Sequence, residues 1–322
     1  MPYVRPGAEV IAAITGHLAL PRRRQLPEAA LPHTQLVLAE QLTRRHTGEV
    51  PAAARAHTRL ATASHWLGHD QHADIAAQAA VARWHALETA HPGRHLLNLA
   101  TSLVERSDIS WSLGRYEAAV QLAGEALTLL DQHSVPSPAH HTVRARAHIR
   151  QGMARRQLGA HSEAATDLRQ AVTLGERTMT FTPIARRHLA DALAGLGRVE
   201  RELGRLPEAD RSHQRAIALY EADMATTPDR TRLYLANTLT TLGWVEQELA
   251  RLPEAERSLR RAVALYEIDM TTVPDRIGPY LAGALAELGR VRWNQGHHDA
   301  ALRSRRQALY LFAHAAELNP GR

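Results

Sequence analysis

The sequence predicts an all-α solenoid of about seven helical hairpins. Three observations carry that prediction. A pattern of small residues, glycines and prolines returns every 45–46 residues along the 322-residue chain. Each period holds two apolar runs, one closed by Gly and the next opened by Pro, as two consecutive helices require. The composition also suits helices: 44% of residues are hydrophobic but only 4% are aromatic, and Ala and Leu dominate.

The register is clearest in two adjacent copies. Leu203-Gly-Arg-Leu-Pro-Glu-Ala209 returns as Leu249-Ala-Arg-Leu-Pro-Glu-Ala255, an offset of 46. Taken in chain order, a weak first copy covers residues 7–46, where Arg24 takes the turn position and Leu26, Pro27, Glu28 and Ala29 follow. Regular copies then run from about residue 47 to 319, with turns at Gly68, Gly114, Gly159, Gly204, Ala250 and Gly296. Five residues after each turn stand Ala73, Ala119, Ala164, Ala209, Ala255 and Ala301. Seven further on stand Ala80, Ala126, Ala171, Ala216, Ala262 and Ala308. Each period closes on a proline: Pro92, Pro138, Pro183, Pro228, Pro274, Pro320.

Each column has a physical reading. Gly accepts the left-handed conformation that ends a helix, and Pro loses nothing at a helix start, where its missing N–H has no partner anyway. The unit is therefore helix A, a Gly turn, helix B, then a Pro-marked turn. Pro207 to Thr226 reads as a helix B and Asp229 to Leu249 as a helix A. Alanines seven apart keep one stripe of helix B small, so neighbouring helices approach closely. Leu219, Leu265 and Leu311 supply bulk beside that stripe. The register never breaks, which predicts one continuous array over residues 1–322 and not two domains.

These residues resemble the tetratricopeptide repeat. Leu193, Leu196-Gly197, Gly204, Leu206, Ala209 and Ala216 match that family's pattern, as do Leu239, Leu242-Gly243, Leu252, Ala255 and Ala262. Leu285, Leu288-Gly289, Gly296, Ala301 and Ala308 match it again, while earlier copies depart in helix A, with Ser107 and Ala61 in place of its Gly. The period is 45–46 residues, longer than the family's usual unit, so both helices are expected to be extended. The resemblance is to a long-period bacterial variant. It implies a right-handed superhelix whose A helices line a concave, ligand-binding face.

Composition removes several chemistries. With no Cys there is no disulfide, thiolate metal site or Cys nucleophile. All 39 residues of the Lys+Arg count are Arg, so neither a Walker A Lys nor a Schiff-base amine exists. The missing Lys reads as GC-rich coding, which points to a bacterial source. Net charge is +6, concentrated where Arg144, Arg146, Arg150, Arg155 and Arg156 follow one another with no acid between Asp131 and Glu163. These arginines fall around one helix and read as a solvated helix more readily than as a nucleic-acid surface. The 20 His residues cluster at turns, as in His65/His69/His72 and His297/His298, and no metal or cofactor is predicted. Glu200/Glu202 and Glu246/Glu248 recur with the repeat, which marks them as scaffold and not as catalytic pairs. No catalytic residue is assigned.

The groove carries the sharper reading. Four residues after the helix-A Gly register stand Trp111, Arg156, Arg201, Gln247 and Trp293, and one residue after it stand Arg198, Trp244 and Arg290. Trp and Arg are the types most enriched where proteins bind tightly. With Arg146 and Asn237 in a neighbouring column, these residues form the candidate ligand site. The predicted function is a non-catalytic protein- or peptide-binding scaffold in the cytoplasm, a regulatory or signalling module. It would hold an acidic segment or a C-terminal carboxylate between Arg forks and Trp faces. The alternative is a repeat-built enzyme or accessory factor acting on a small acidic ligand. The last helix ends in the apolar run Ala308-Leu-Tyr-Leu-Phe-Ala313, so Leu309, Leu311 and Phe312 are expected to be covered by a second copy, a partner or a further domain.

Overall fold

The computed structural model describes residues 50–66, 69–132, 137–178, 183–225, 227–271 and 274–318. The weak first copy at 7–46, Gly68 and Pro320 lie outside them. Among the described residues there are twelve helices and no strand. The chain divides into two compact units, one up to residue 133 and one from residue 134.

The first unit holds α1 (Val50–Trp66), α2 (Asp70–Ala90), α3 (Leu96–Ser112) and α4 (Tyr116–Asp131). The second holds α5 (Pro138–Gln157), α6 (His161–Thr178), α7 (Pro183–Glu202), α8 (Leu206–Met224), α9 (Pro228–Glu248), α10 (Leu252–Met270), α11 (Pro274–Asn294) and α12 (His298–Leu318). Odd-numbered helices are the A helices and even-numbered ones the B helices. Each A packs on the B that follows it, and within a unit each B packs on the next A. This is the hairpin-by-hairpin solenoid that the register predicts.

The turns behave as their sequences require. Gly204 sits at φ 72° and Gly114 at φ 73°. The amide of Gly204 donates to the Arg201 carbonyl at 2.9 Å and that of Arg205 to the Glu200 carbonyl at 2.8 Å, the paired bonds of a Schellman cap. Ala250 takes the same turn at φ 60° and is the one non-glycine with positive φ among the described residues. Pro138, Pro183, Pro228 and Pro274 each open an A helix, and Ser137 caps α5 by accepting the His140 amide.

Burial follows the alanine columns. Ala119, Ala164, Ala209, Ala255 and Ala301 are all fully buried, and Ala126, Ala171, Ala216, Ala262 and Ala308 nearly so. In the second unit one apolar cluster runs without interruption from Ile149 to Ala308. Its bulk differs from the sequence reading: Leu219, Leu265 and Leu311 are only partly buried at its edge, whereas the adjacent Tyr220 and Tyr266 are fully buried. Helical geometry decides this, because a residue 100° further round points between the helices and not along their rim.

The helix-A glycines are seats for one large side chain of helix B. A Cβ on Gly152 would lie 2.8 Å from Leu168, and one on Gly243 would lie 2.7 Å from Leu259. The same seat at Gly197 holds His213, 2.8 Å away. His213 is completely buried, and neither ring nitrogen has a hydrogen-bond partner.

In the second unit the backbones of successive A helices also meet directly, α5 with α7, α7 with α9, and α9 with α11. Successive B helices are linked by long ion pairs, Arg215 to Glu176 at 2.5 Å and Arg261 to Glu221. The A helices therefore form the tighter, inner row of this unit, as the resemblance implied.

Candidate functional site

The inner row of the second unit is clasped by its own charges. Arg156 on α5 donates to Glu202 on α7 at 2.8 Å, and Arg201 on α7 donates to Glu248 on α9 at 2.8 Å. His161 lies 3.1 Å from the other Glu202 oxygen. Two of the predicted ligand-binding arginines thus already hold carboxylates one repeat along. Arg201 also lies over the Trp244 ring, 5.1 Å from its centre. Glu200, another recurrent carboxylate, is engaged as well, accepting from Ser212 at 2.7 Å, whereas Oε2 of the equivalent Glu246 is buried without a partner among the described residues. Burial raises both carboxyl pKa values.

Arg198 differs from its neighbours. It stands on α7 in the inner row, and its Nε is buried without a hydrogen-bond partner among the described residues. Burial, and then the nearby Arg156, pull its guanidinium below the usual arginine range, while Tyr220, Tyr266 and Asp191 oppose that shift. Asp191, whose charge opposes that shift, is itself engaged: Tyr220 Oη donates to Asp191 Oδ1 at 2.5 Å. One repeat on, Tyr266 Oη donates to Asn237 Oδ1 at 2.6 Å, so Asn237 is a structural acceptor. Trp244 occupies Arg198's column on α9, and its indole Nε1 is likewise buried without an acceptor. Gln247, one turn further, has its Oε1 unsatisfied.

The remaining predicted residues are dispersed. Trp111 belongs to the first unit, where it packs edge-on against Tyr116 at 6.4 Å. Arg146 lies on α5, and its charge acts with burial to hold His188 neutral, at a pKa lowered to about 3. Arg290 is exposed and pairs with Glu287 on its own helix at 2.8 Å. Trp293 packs on His298 at 4.4 Å, beneath the Arg305 guanidinium at 5.4 Å. At the end of the unit, Leu309 and Phe312 are exposed while Leu311 packs against the core.

Sequence reasoning missed the Tyr220–Asp191 and Tyr266–Asn237 pairs. Their signal was present: both tyrosines and both acceptors lie 46 residues apart, and a buried phenol needs a partner. The extended ends of the helices hold further pairs, Arg186 with Asp223 at 3.2 Å and Arg232 with Asp269. There Tyr220 also stacks on Tyr234 at 6.1 Å and Tyr266 on Tyr280 at 6.3 Å.

Comparison with known proteins agrees with this geometry. The family model described as tetratricopeptide repeat matches residues 189–222 and 235–268. Each match stops short of the Pro-marked turn, so the additional residues of the long period lie at the helix ends away from the Gly turn. Among solved structures, BtubC from P. vanneervenii is 15% identical, with a TM-score of 0.59 over 74% of this chain and 89% of its own. Apo RapI is 11% identical, with a TM-score of 0.58 over 88% of this chain and 97% of its own. A Podosopora anserina putative kinesin light chain with nearly identical TPR-like repeats is 19% identical, with a TM-score of 0.51 over 70% and 99%. At these identities the likeness is one of fold. No curated protein matches the sequence. Residues 189–222 and 235–268 thus match the tetratricopeptide repeat by sequence, and they sit in a run of hairpins that share their turns, small-residue columns and helix pairing.

Proposed function

We propose that the chain is a non-catalytic interaction scaffold whose second unit holds an acidic peptide segment, or a free C-terminal carboxylate, on its inner face. Arg198 carries this reading. The residue is half-buried, but its Nε–H is shut from water without an acceptor, and a ligand carboxylate would supply one. Trp244 supports it, because its orphaned indole N–H also seeks an acceptor. Arg156 and Arg201 then act less as direct ligands than as the clasps that hold α5, α7 and α9 in place around Arg198. Glu200, Glu202 and Glu248, engaged as structural clasps, favour recognition over acid–base chemistry. We further read the two units as one repeat array, on the 45-residue step from Gly114 to Gly159. The scaffold is proposed to act within a regulatory assembly in the cytoplasm. Among the described residues no helix is long and apolar enough to cross a membrane.

The test is a random-peptide display selection on the full chain, followed by titration calorimetry of the selected peptides. Enriched peptides should carry Asp, Glu or an essential free C-terminus and bind more weakly as salt rises. Arg198→Met should cost about 1–3 kcal/mol of affinity. Selection of peptides without acidic groups, or affinities untouched by Arg198→Met, would refute the reading.

A further inference from the structure

Four residues before each turn of the second unit, the A helix carries a charge: Arg155 on α5, Glu200 on α7, Glu246 on α9 and Arg292 on α11. Because the hairpins repeat, these four compare like for like. Arg155 donates to Asp167 at 2.7 Å, Arg292 donates to Glu256 at 2.9 Å, and Glu200 has Arg169 at 3.8 Å. Glu246 is the exception. It is 6% exposed, and its Oε2 is buried without a partner among the described residues. A carboxylate buried without a cation is costly.

The difference comes from one residue on the preceding B helix. Arg169 stands ten residues after its turn on α6 and reaches forward to Glu200, whereas the same position on α8 is Gln214. Gln214 is uncharged and exposed, and its Nε2 donates along its own helix to Asp210 at 2.9 Å. Arg251, whose charge acts on Glu246, is held by Asp210 at 2.9 Å, while the charges of Asp210 and Glu254 add to that of Glu246. The seam between α8 and α10 is therefore negative, and it lacks the cation that the hairpin before supplies for itself.

A cation from outside can take that place. Arg169 keeps 46% of its side chain exposed while it pairs with Glu200, so this column is approached from solvent. One hairpin beyond Glu246 the same column lines an open recess of about 360 Å³ between α10, α11 and α12, with Arg292 on its wall. The approach is separate from the inner face: Glu246 follows Trp244 by two residues, as Glu200 follows Arg198, which puts it on the far side of the helix.

We propose that the seam between α8 and α10 takes an arginine side chain of a partner protein, whose guanidinium meets Glu246 as Arg169 meets Glu200. The probe is argininamide, with citrullinamide as its uncharged isostere, titrated into the full chain and followed by backbone amide chemical shifts. Argininamide should bind at least about tenfold more tightly than citrullinamide, because only the guanidinium makes a charge-assisted pair. Glu246→Gln, which keeps the side chain's shape, should abolish that preference. Gln214→Arg should abolish it as well, by supplying from α8 the cation that Arg169 supplies from α6, and should raise the urea midpoint above that of the wild type. Arg198→Met should leave the preference unchanged, so failure here is distinct from failure of the inner-face reading. The proposal is overturned by no binding of argininamide, by equal binding of the two probes, by a preference that survives Glu246→Gln or Gln214→Arg, or by one that Arg198→Met removes. A wild-type dimer in sedimentation velocity that Glu246→Gln dissociates would overturn it in favour of an arginine from a second copy.

Discussion

Replacing His213 by Leu should stabilise this protein, and more so in acid. The slot is proven for Leu by its neighbours: Leu168 sits against Gly152 and Leu259 against Gly243 as His213 sits against Gly197. The wild-type imidazole buries two ring nitrogens without partners. Leaving such groups unpaired costs about 1–3 kcal/mol, so His213→Leu should gain about 2 kcal/mol near neutral pH. The pH dependence is a second, independent signature. Burial, together with Arg198 and Arg201, lowers the folded-state pKa from 6.5 to about 3. Above 6.5 the ring is neutral whether folded or not. Between those values the unfolded chain takes up a proton that the folded chain refuses, so stability falls as pH falls, by up to about 1.4 kcal/mol per pH unit. Leu has no proton to take, and the similar shift at His188 is common to both proteins and cancels in their difference. Urea unfolding of wild type and variant, followed by circular dichroism from about pH 8 to about pH 5, measures it. The advantage of Leu should be constant above the unfolded-state pKa and widen steadily below it. A destabilised variant, or a difference that does not change with pH, would show that the imidazole is satisfied and the reasoning wrong.

Two further expectations follow from the packing. Ala250→Gly should stabilise the α9–α10 turn by about 1 kcal/mol, because Ala alone among the described turns adopts positive φ at the position where Gly114, Gly159, Gly204 and Gly296 stand; an unchanged or lower urea midpoint would contradict this. Tyr266→Ala should cost about 3–5 kcal/mol and Leu265→Ala distinctly less, since the first is fully buried and hydrogen-bonded to Asn237 while the second lies at the core's edge. Equal losses in thermal unfolding would mean that the edge position is as tightly packed as the core.

The architecture could be read from one dimension because a repeat states it many times over. A Gly that recurs every 45–46 residues after an apolar run has one economical explanation, and Ala209, Ala216, Ala255 and Ala262 add that the helices between are tightly paired. Helix ends were legible for the same local reason: caps depend on Gly and Pro, which act within a turn of themselves. The division into units at residues 133 and 134 has no counterpart in the register, which steps by 45 residues from Gly114 to Gly159. The site was less legible still. The column Trp111, Arg156, Arg201, Gln247, Trp293 puts one residue on each successive A helix, but a column says nothing about what each member's tip touches. Arg156 and Arg201 found Glu202 and Glu248, while the Nε of Arg198, three residues before Arg201, is buried without a partner among the described residues. Tyr220 and Tyr266 displaced Leu219 and Leu265 from the core by a single step around the helix. Sequence by itself determined the period, the helices and the small-residue seam, because those follow from backbone preferences and apolar spacing. Only the tertiary structure decided which charges are consumed and which are left over, because pairing is settled by side-chain reach across neighbouring helices, where a separation of a few ångströms divides a clasped arginine from an empty one.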